Sequence, residues 1–330
     1  MRPIVLVVVL VFGGCATEHR TLNTEYSPSV PFIPQKPGHC GPAALAMLAN
    51  HYGHTVTQDD IANAIYLPDI HGTLTAELAD YARRFRLFVR QYRGSEADLH
   101  QKLAAGIPLI VLGKLGANWH YFVVLAADRD TVTVHSGTEP LKHLSTETFL
   151  RWWNRAGRWT LLICPSEKAT WPLTAAEHND LGVFYEKTNG DLCAAEMHYR
   201  QAATLQPDNP YHHLNLGNSL RKQHRLPEAA AAFARAPENA DALNNRADVL
   251  RELGEHLDEA AALCHRAIEL MPSHRTWYLD TLGSIRLKQG MRSEAIAAYE
   301  AALAATTDRQ ASLRAGINQR LAAARALAEK

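Results

Sequence analysis

At 330 residues, 47% hydrophobic and 21% charged, the chain has an ordinary globular composition and length enough for two domains of usual size. Its 34 basic and 34 acidic residues give zero net charge, which leaves no electrostatic footprint for nucleic acid and excludes it as an expected partner. The 17 histidines are scattered without paired metal-ligand spacing, so neither a metal nor another cofactor is expected.

Residues 1–15 combine Arg2, an apolar run from Ile4 to Phe12, and Gly13-Gly14-Cys15, the plan of a signal peptide too short to span a bilayer. The ending resembles a bacterial lipobox. That implies lipidation of Cys15 and, with Ala16 rather than aspartate next, an outer-membrane lipoprotein of the cell envelope facing the periplasm. Residues 16–30 are polar and read as a tether.

The next stretch, Gln35-Lys36-Pro37-Gly38-His39-Cys40-Gly41-Pro42, turns and then enters a helix through Tyr52 that Gly53 stops. A cysteine at a helix N-terminus meets unpaired N–H groups and the positive end of the macrodipole, which favour the nucleophilic thiolate. Gln35 is placed to supply a side-chain N–H beside that of Cys40, the two donors of an oxyanion hole. Thr57 and Asp60 are spaced as a capping box for a short helix, and a further helix follows Gly72-Thr73. A strand at Leu87–Tyr92, a helix at Ser95–Ala105 and a central strand at Leu109–Leu112 come next. His120 opens the apolar strand to Ala126, a rigid platform from which an imidazole faces a helix N-terminus. After the turn at Asp128-Arg129-Asp130, the strand Thr131–Val134 returns, and a helix at Ser145–Trp153 and a strand at Trp159–Cys164 close the unit. Helices gather early and antiparallel strands late, an α+β plan over residues 31–165.

This order resembles the papain-like bacteriocin-processing peptidases that cleave double-glycine leader peptides. The resemblance rests on Gln35 five residues before Cys40-Gly41-Pro42-Ala43, on Tyr52-Gly53, Gly72-Thr73 and Gly106-Ile107-Pro108, and on His120-Tyr121-Phe122-Val123-Val124. It implies a papain-like cysteine peptidase domain with Cys40 as nucleophile, His120 as base and Gln35 as oxyanion donor. The family's aspartate after the returning strand is replaced, and Ser136 best matches its position. A serine there accepts Nδ1–H from His120 without stabilising imidazolium as a carboxylate does; Asp128, Asp130, Glu139 and a backbone carbonyl are the other candidates to orient the ring.

Residues 166–174 read as a linker, and beyond them the chain is alanine-rich and repeats itself. Gly182, Gly217, Ala247 and Gly283 mark equivalent positions near the 34-residue tetratricopeptide period, the first copy carrying one extra residue before its second helix. Residues 175–308 therefore read as about four tetratricopeptide repeats in an all-α solenoid, with a capping helix over 309–330. Asn215, Asn218, Asn244, Asn245, Arg221 and Arg251 are candidates to line its concave face and bind a protein partner. Cys193 and Cys264 read as core fillers, and the irregular cysteine spacing gives no disulfide framework. The sequence thus points to a membrane-anchored cysteine peptidase acting on peptides or proteins, with repeats for substrate or partner. A non-catalytic peptide-binding adaptor and a cysteine acyltransferase or amidase are the alternatives.

Overall fold

The computed structural model describes residues 30–326. The expected signal peptide with Cys15, and the expected tether up to its last residue, lie outside the described residues. Contacts divide the chain into two compact units: one runs to Ala82 and resumes from Gln91 to Ile163, the other takes Arg83–Arg90 and everything from Cys164.

The first unit is built on α1 (Cys40–His51), in which every residue from Gly41 to Ala49 is buried. Small and apolar residues on all sides make it a core helix rather than an amphipathic one. Around it come α2 (Gln58–Ile65), α3 (Thr75–Ala82), β1 (Phe88–Arg93), α4 (Glu96–Ala104), β2 (Leu109–Leu115), β3 (Asn118–Ala127), β4 (Thr131–Ser136), β5 (Glu139–Ser145), α5 (Thr146–Arg155) and β6 (Trp159–Cys164). The Thr57–Asp60 capping box forms in both directions.

The strands make one sheet in the order β1-β6-β2-β3-β4-β5, with β6, β2, β3, β4 and β5 pairing antiparallel in turn. β2 lies inside the sheet, which is why its Leu109–Leu112 run is buried without alternation. α1 packs on β3 and α5 on β2. β5 is an addition to the sequence reading: a turn through Gly137, at φ +62°, sends the chain back as an edge strand beside β4.

The second unit is a helical stack of α6 (Ala175–Phe184), α7 (Leu192–Leu205), α8 (Pro210–Lys222), α9 (Leu226–Ala234), α10 (Ala240–Leu253), α11 (Leu257–Leu270), α12 (Arg275–Lys288), α13 (Arg292–Ala304) and α14 (Ala311–Ala326). The repeat is written in side-chain volume. A Cβ on Gly182, Gly217 or Gly283 would lie 2.5–2.6 Å from the ring of Tyr199, Phe233 or Tyr299, so the first helix of each of these pairs needs glycine where the second inserts an aromatic. In the third copy both members change together, to Ala247 and Cys264, which share one buried cluster. The extra residue of the first copy is absorbed by a π-helical turn at Tyr185–Asn189. α14 covers the last pair with Ile317, Leu321 and Ala324. Cys264 is buried, but Cys193 is exposed at the start of α7, so the expectation that it fills the core is corrected. The segment read as a linker is not wholly solvated: Trp171 is 5% exposed and its Nε1–H donates to Glu177 Oε1 at 3.0 Å.

Candidate active site

Cys40 is the first residue of α1, after a turn in which Gly38 adopts φ +75° and His39 N–H donates to Lys36 O. The neighbouring backbone N–H groups of Tyr121, Gly41 and Cys40 itself favour the thiolate and pull the Cys40 thiol down. Packing of α1 on β3 brings Gly41, next to the thiol, against Tyr121, one residue from His120. Gly41 keeps that approach open, since a Cβ there would sit 3.2 Å from the Tyr121 ring. The Tyr121 hydroxyl donates to Thr73 O at 3.1 Å, which explains why the Gly72-Thr73 pair belongs with the site.

His120 Nε2 lies 3.0 Å from Ser136 Oγ, so the serine expected at the acid's position does meet the imidazole. It meets the other ring nitrogen, however: the expected Nδ1 partner is corrected to Nε2, which leaves Nδ1 clear of Ser136. The Phe122 and His120 rings meet edge to face with centroids 4.7 Å apart, and Phe122 stacks on Trp152 with centroids 6.0 Å apart. Gly113 pairs with His120 across β2 and β3, and a Cβ there would come within 2.7 Å of the Phe122 ring. No contact joins Asp128, Asp130 or Glu139 to His120 among the described residues. Asp128 Oδ1 instead accepts from Asp130 N–H and Thr131 N–H at 2.8 and 2.7 Å, and Glu139 pairs with Lys142 at 2.8 Å.

Electrostatics departs from what the helix terminus alone implies. Burial pushes the Cys40 thiol up by more than its three N–H donors pull it down. Burial first, and then the Lys142 cation, push His120 down to about 4. The expected favoured thiolate is therefore corrected: the resting pair is thiol and neutral imidazole.

Gln35 is held from both sides by a residue the sequence reading did not single out. Gln58, 8% exposed on α2, donates to Pro34 O at 2.8 Å and accepts from Lys36 N–H at 2.9 Å, while Gln35 N–H donates to Gly137 O at 3.0 Å beside Ser136. The Gln35 side chain makes no hydrogen bond to a described residue. His135, buried, completes the frame: its Nδ1 accepts from Leu141 N–H at 3.1 Å and its Nε2 lies 3.2 Å from Val30 O. Among the described residues no three His, Cys, Asp or Glu side chains gather to hold a metal ion.

On the repeat unit five of the six candidate residues are held by hydrogen bonds or ion pairs to neighbouring side chains. Asn215 donates to Asn179 at 2.8 Å and Asn245 to Asn218 at 2.9 Å. Arg221 pairs with Asp248 and Glu252, and Arg251 with Asp248 at 2.7 Å. Asn244 lines a cavity with Asn218 and Asn245.

Residues 30–168 match the Peptidase C39 family model, and residues 185–237 and 216–274 match a tetratricopeptide repeat model. Among solved structures, the peptidase domain of Streptococcus ComA, a bifunctional ABC transporter involved in a quorum-sensing pathway, is 21% identical. It covers 42% of this chain and 99% of its own, with a TM-score of 0.37. MamA is 19% identical over 45% of this chain and 95% of its own, TM-score 0.36. A putative C39-like peptidase from Bacillus anthracis is 19% identical over 42% and 94%, also with TM-score 0.36. No curated protein matches. The chain thus joins a C39 peptidase-like domain to tetratricopeptide repeats.

Proposed function

We propose that the protein is a lipid-anchored cysteine peptidase whose repeats hold the substrate or a protein partner. The observation that carries this reading is Cys40 opening α1, whose Gly41 packs against Tyr121 of β3, the residue next to a His120 whose Nε2 lies 3.0 Å from Ser136 Oγ. In this mechanism His120 Nδ1 takes the thiol proton as the sulfur attacks a peptide carbonyl. The oxyanion is held by Cys40 N–H and the Gln35 amide. Collapse breaks the C–N bond, the imidazolium returns its proton to the leaving amine, and water, deprotonated by His120, releases the acyl group from the thioester as a carboxylate. Amine in place of water would make the same intermediate an acyl transfer.

Profiling with a peptide library tests this directly. The intact chain should cleave, Cys40→Ala and His120→Ala should not, and cleavage undiminished in Cys40→Ala refutes the assignment. A library also asks whether the double-glycine preference of the resembled family applies. The neutral hydroxyl at Ser136 favours a second reading, a non-catalytic adaptor; Cys40→Ala would then leave the cellular phenotype intact while loss of residues 175–330 would not. The anchor assigned to Cys15 puts the protein on the outer membrane facing the periplasm, and among the described residues no helix is long and apolar enough to cross a membrane.

A further inference from the structure

The first helices of the last three repeats, α8, α10 and α12, line a cavity of about 370 Å³. Three features of its wall point to one kind of ligand. Asp241 on α10 is the sole carboxylate among the lining residues, and no lysine or arginine joins it. Its Oδ1 accepts from the Tyr278 hydroxyl at 2.7 Å and lies 3.6 Å from His274 Nδ1, so the carboxylate is oriented while its side chain stays 46% exposed. Next to it Trp277 is 42% exposed, with its ring 5.2 Å from that of His274, a large aromatic surface that the helical core does not use. Asn244 adds an acceptor, since its Oδ1 is buried without a hydrogen bond.

An oriented carboxylate beside an open indole face is the chemistry that receives a cation carried on an apolar stem. The carboxylate supplies charge, the indole supplies its quadrupole, and a vacant amide oxygen accepts a further N–H. A planar guanidinium satisfies all three at once, and an ammonium the first two. An acidic ligand would meet like charge at Asp241 and an unpaired acceptor at Asn244. We propose that this cavity takes a basic side chain, arginine or lysine, of an extended peptide. The inference rests on the reading of the repeats as peptide-binding and is independent of chemistry at Cys40.

The test uses the full chain carrying Cys40→Ala, to prevent turnover, and fluorescence anisotropy of labelled Gly-Ala-Ala-Xaa-Ala-Ala-Gly peptides with arginine, lysine, citrulline or glutamate at Xaa. Arginine and lysine peptides should bind about tenfold more tightly than citrulline or glutamate peptides, a ratio that falls with added salt. Asp241→Asn, which keeps an acceptor for the Tyr278 hydroxyl, should abolish that ratio. Trp277→Leu should weaken the arginine peptide about fivefold, with an unchanged circular dichroism melt establishing that the stack persists. Equal binding of all four peptides overturns the inference and leaves the peptide-binding reading standing. Binding of none overturns the inference, and undiminished preference in Asp241→Asn does so as well.

Discussion

Ser136→Asp restores a carboxylate where the resembled family carries one, 3.0 Å from His120 Nε2 in the present serine form. At an effective dielectric of about 20, opposite unit charges about 4 Å apart attract by about 4 kcal/mol. Desolvating a carboxylate in this half-buried corner removes roughly half of that, leaving about 2 kcal/mol in favour of imidazolium. At about 1.4 kcal/mol per pKa unit, His120 then rises by between one and two units, and the thiolate–imidazolium pair, which holds the same protons as the neutral pair, becomes about thirtyfold more populated. The assay is the rate of Cys40 alkylation by iodoacetamide against pH, which needs no known substrate. Cys193 is exposed and would label, so the measurement is made in Cys193→Ser, where Cys164 and Cys264 are buried. Ser136→Asp should raise the labelling rate near neutral pH about ten- to thirtyfold, and Ser136→Ala should slow labelling at every pH by freeing the ring. Coincident profiles for the three proteins would show that Ser136 does not govern the imidazole and would refute the argument.

Gln58→Leu removes both bonds that fix Pro34 and Lys36 and should cost about 2 kcal/mol in urea unfolding. It should also lower kcat about tenfold or more with little change in KM, because the Gln35 donor acts on the transition state; a loss confined to KM would contradict the positioning role. Burial lowers His135 below its ordinary value and takes His120 to about 4, so the folded state resists their protonation. Stability from both is full above about pH 6.5 and is lost as pH falls toward the folded values, so the melting temperature should drop between about pH 7 and 5. A flat profile would count against neutral buried imidazoles. Cys15→Ser should release the protein from membranes into the soluble periplasmic fraction, and continued sedimentation with membranes would exclude a single anchor at Cys15.

The sequence was informative where local rules and burial agree. Pro37-Gly38 before an unbroken apolar run marked α1 because a core helix needs no polar face, and Leu109–Leu112 marked an interior strand for the same reason. The repeats were legible through their glycine and aromatic pairs, whose volumes are complementary. β5 was hidden by Pro140, by Leu141 at φ +51° and by a mostly exposed edge position that removes the apolar alternation. Gln58 was hidden as well: a polar residue in the first turn of a short helix reads as solvated, and only tertiary structure shows it facing the backbone around Gln35. Ser136 is legible through the resemblance, but the ring nitrogen it meets is not, because serine-hydrolase geometry, in which the nucleophile faces Nε2, points to Nδ1. With Ser136 on Nε2, the nitrogen left for the thiol is Nδ1.

A hydroxyl on Nε2 separates two tasks that a carboxylate performs together. Ser136 fixes the direction of the imidazole through one hydrogen bond, yet contributes no charge to imidazolium, and Lys142 opposes that charge. A base at about 4 is wholly deprotonated near neutral pH and still weak, and the Cys40 thiol is pushed up by burial, so little thiolate preexists. Proton transfer must then accompany attack, when sulfur loses its charge to the carbonyl and the oxyanion meets its N–H donors. Imidazolium would be met by negative charge only during that passage. On the proposed mechanism the site rests neutral, and its rate would depend on how closely a bound peptide carbonyl approaches Cys40. That places a premium on binding elsewhere on the chain, which is the work the repeats are suited to do.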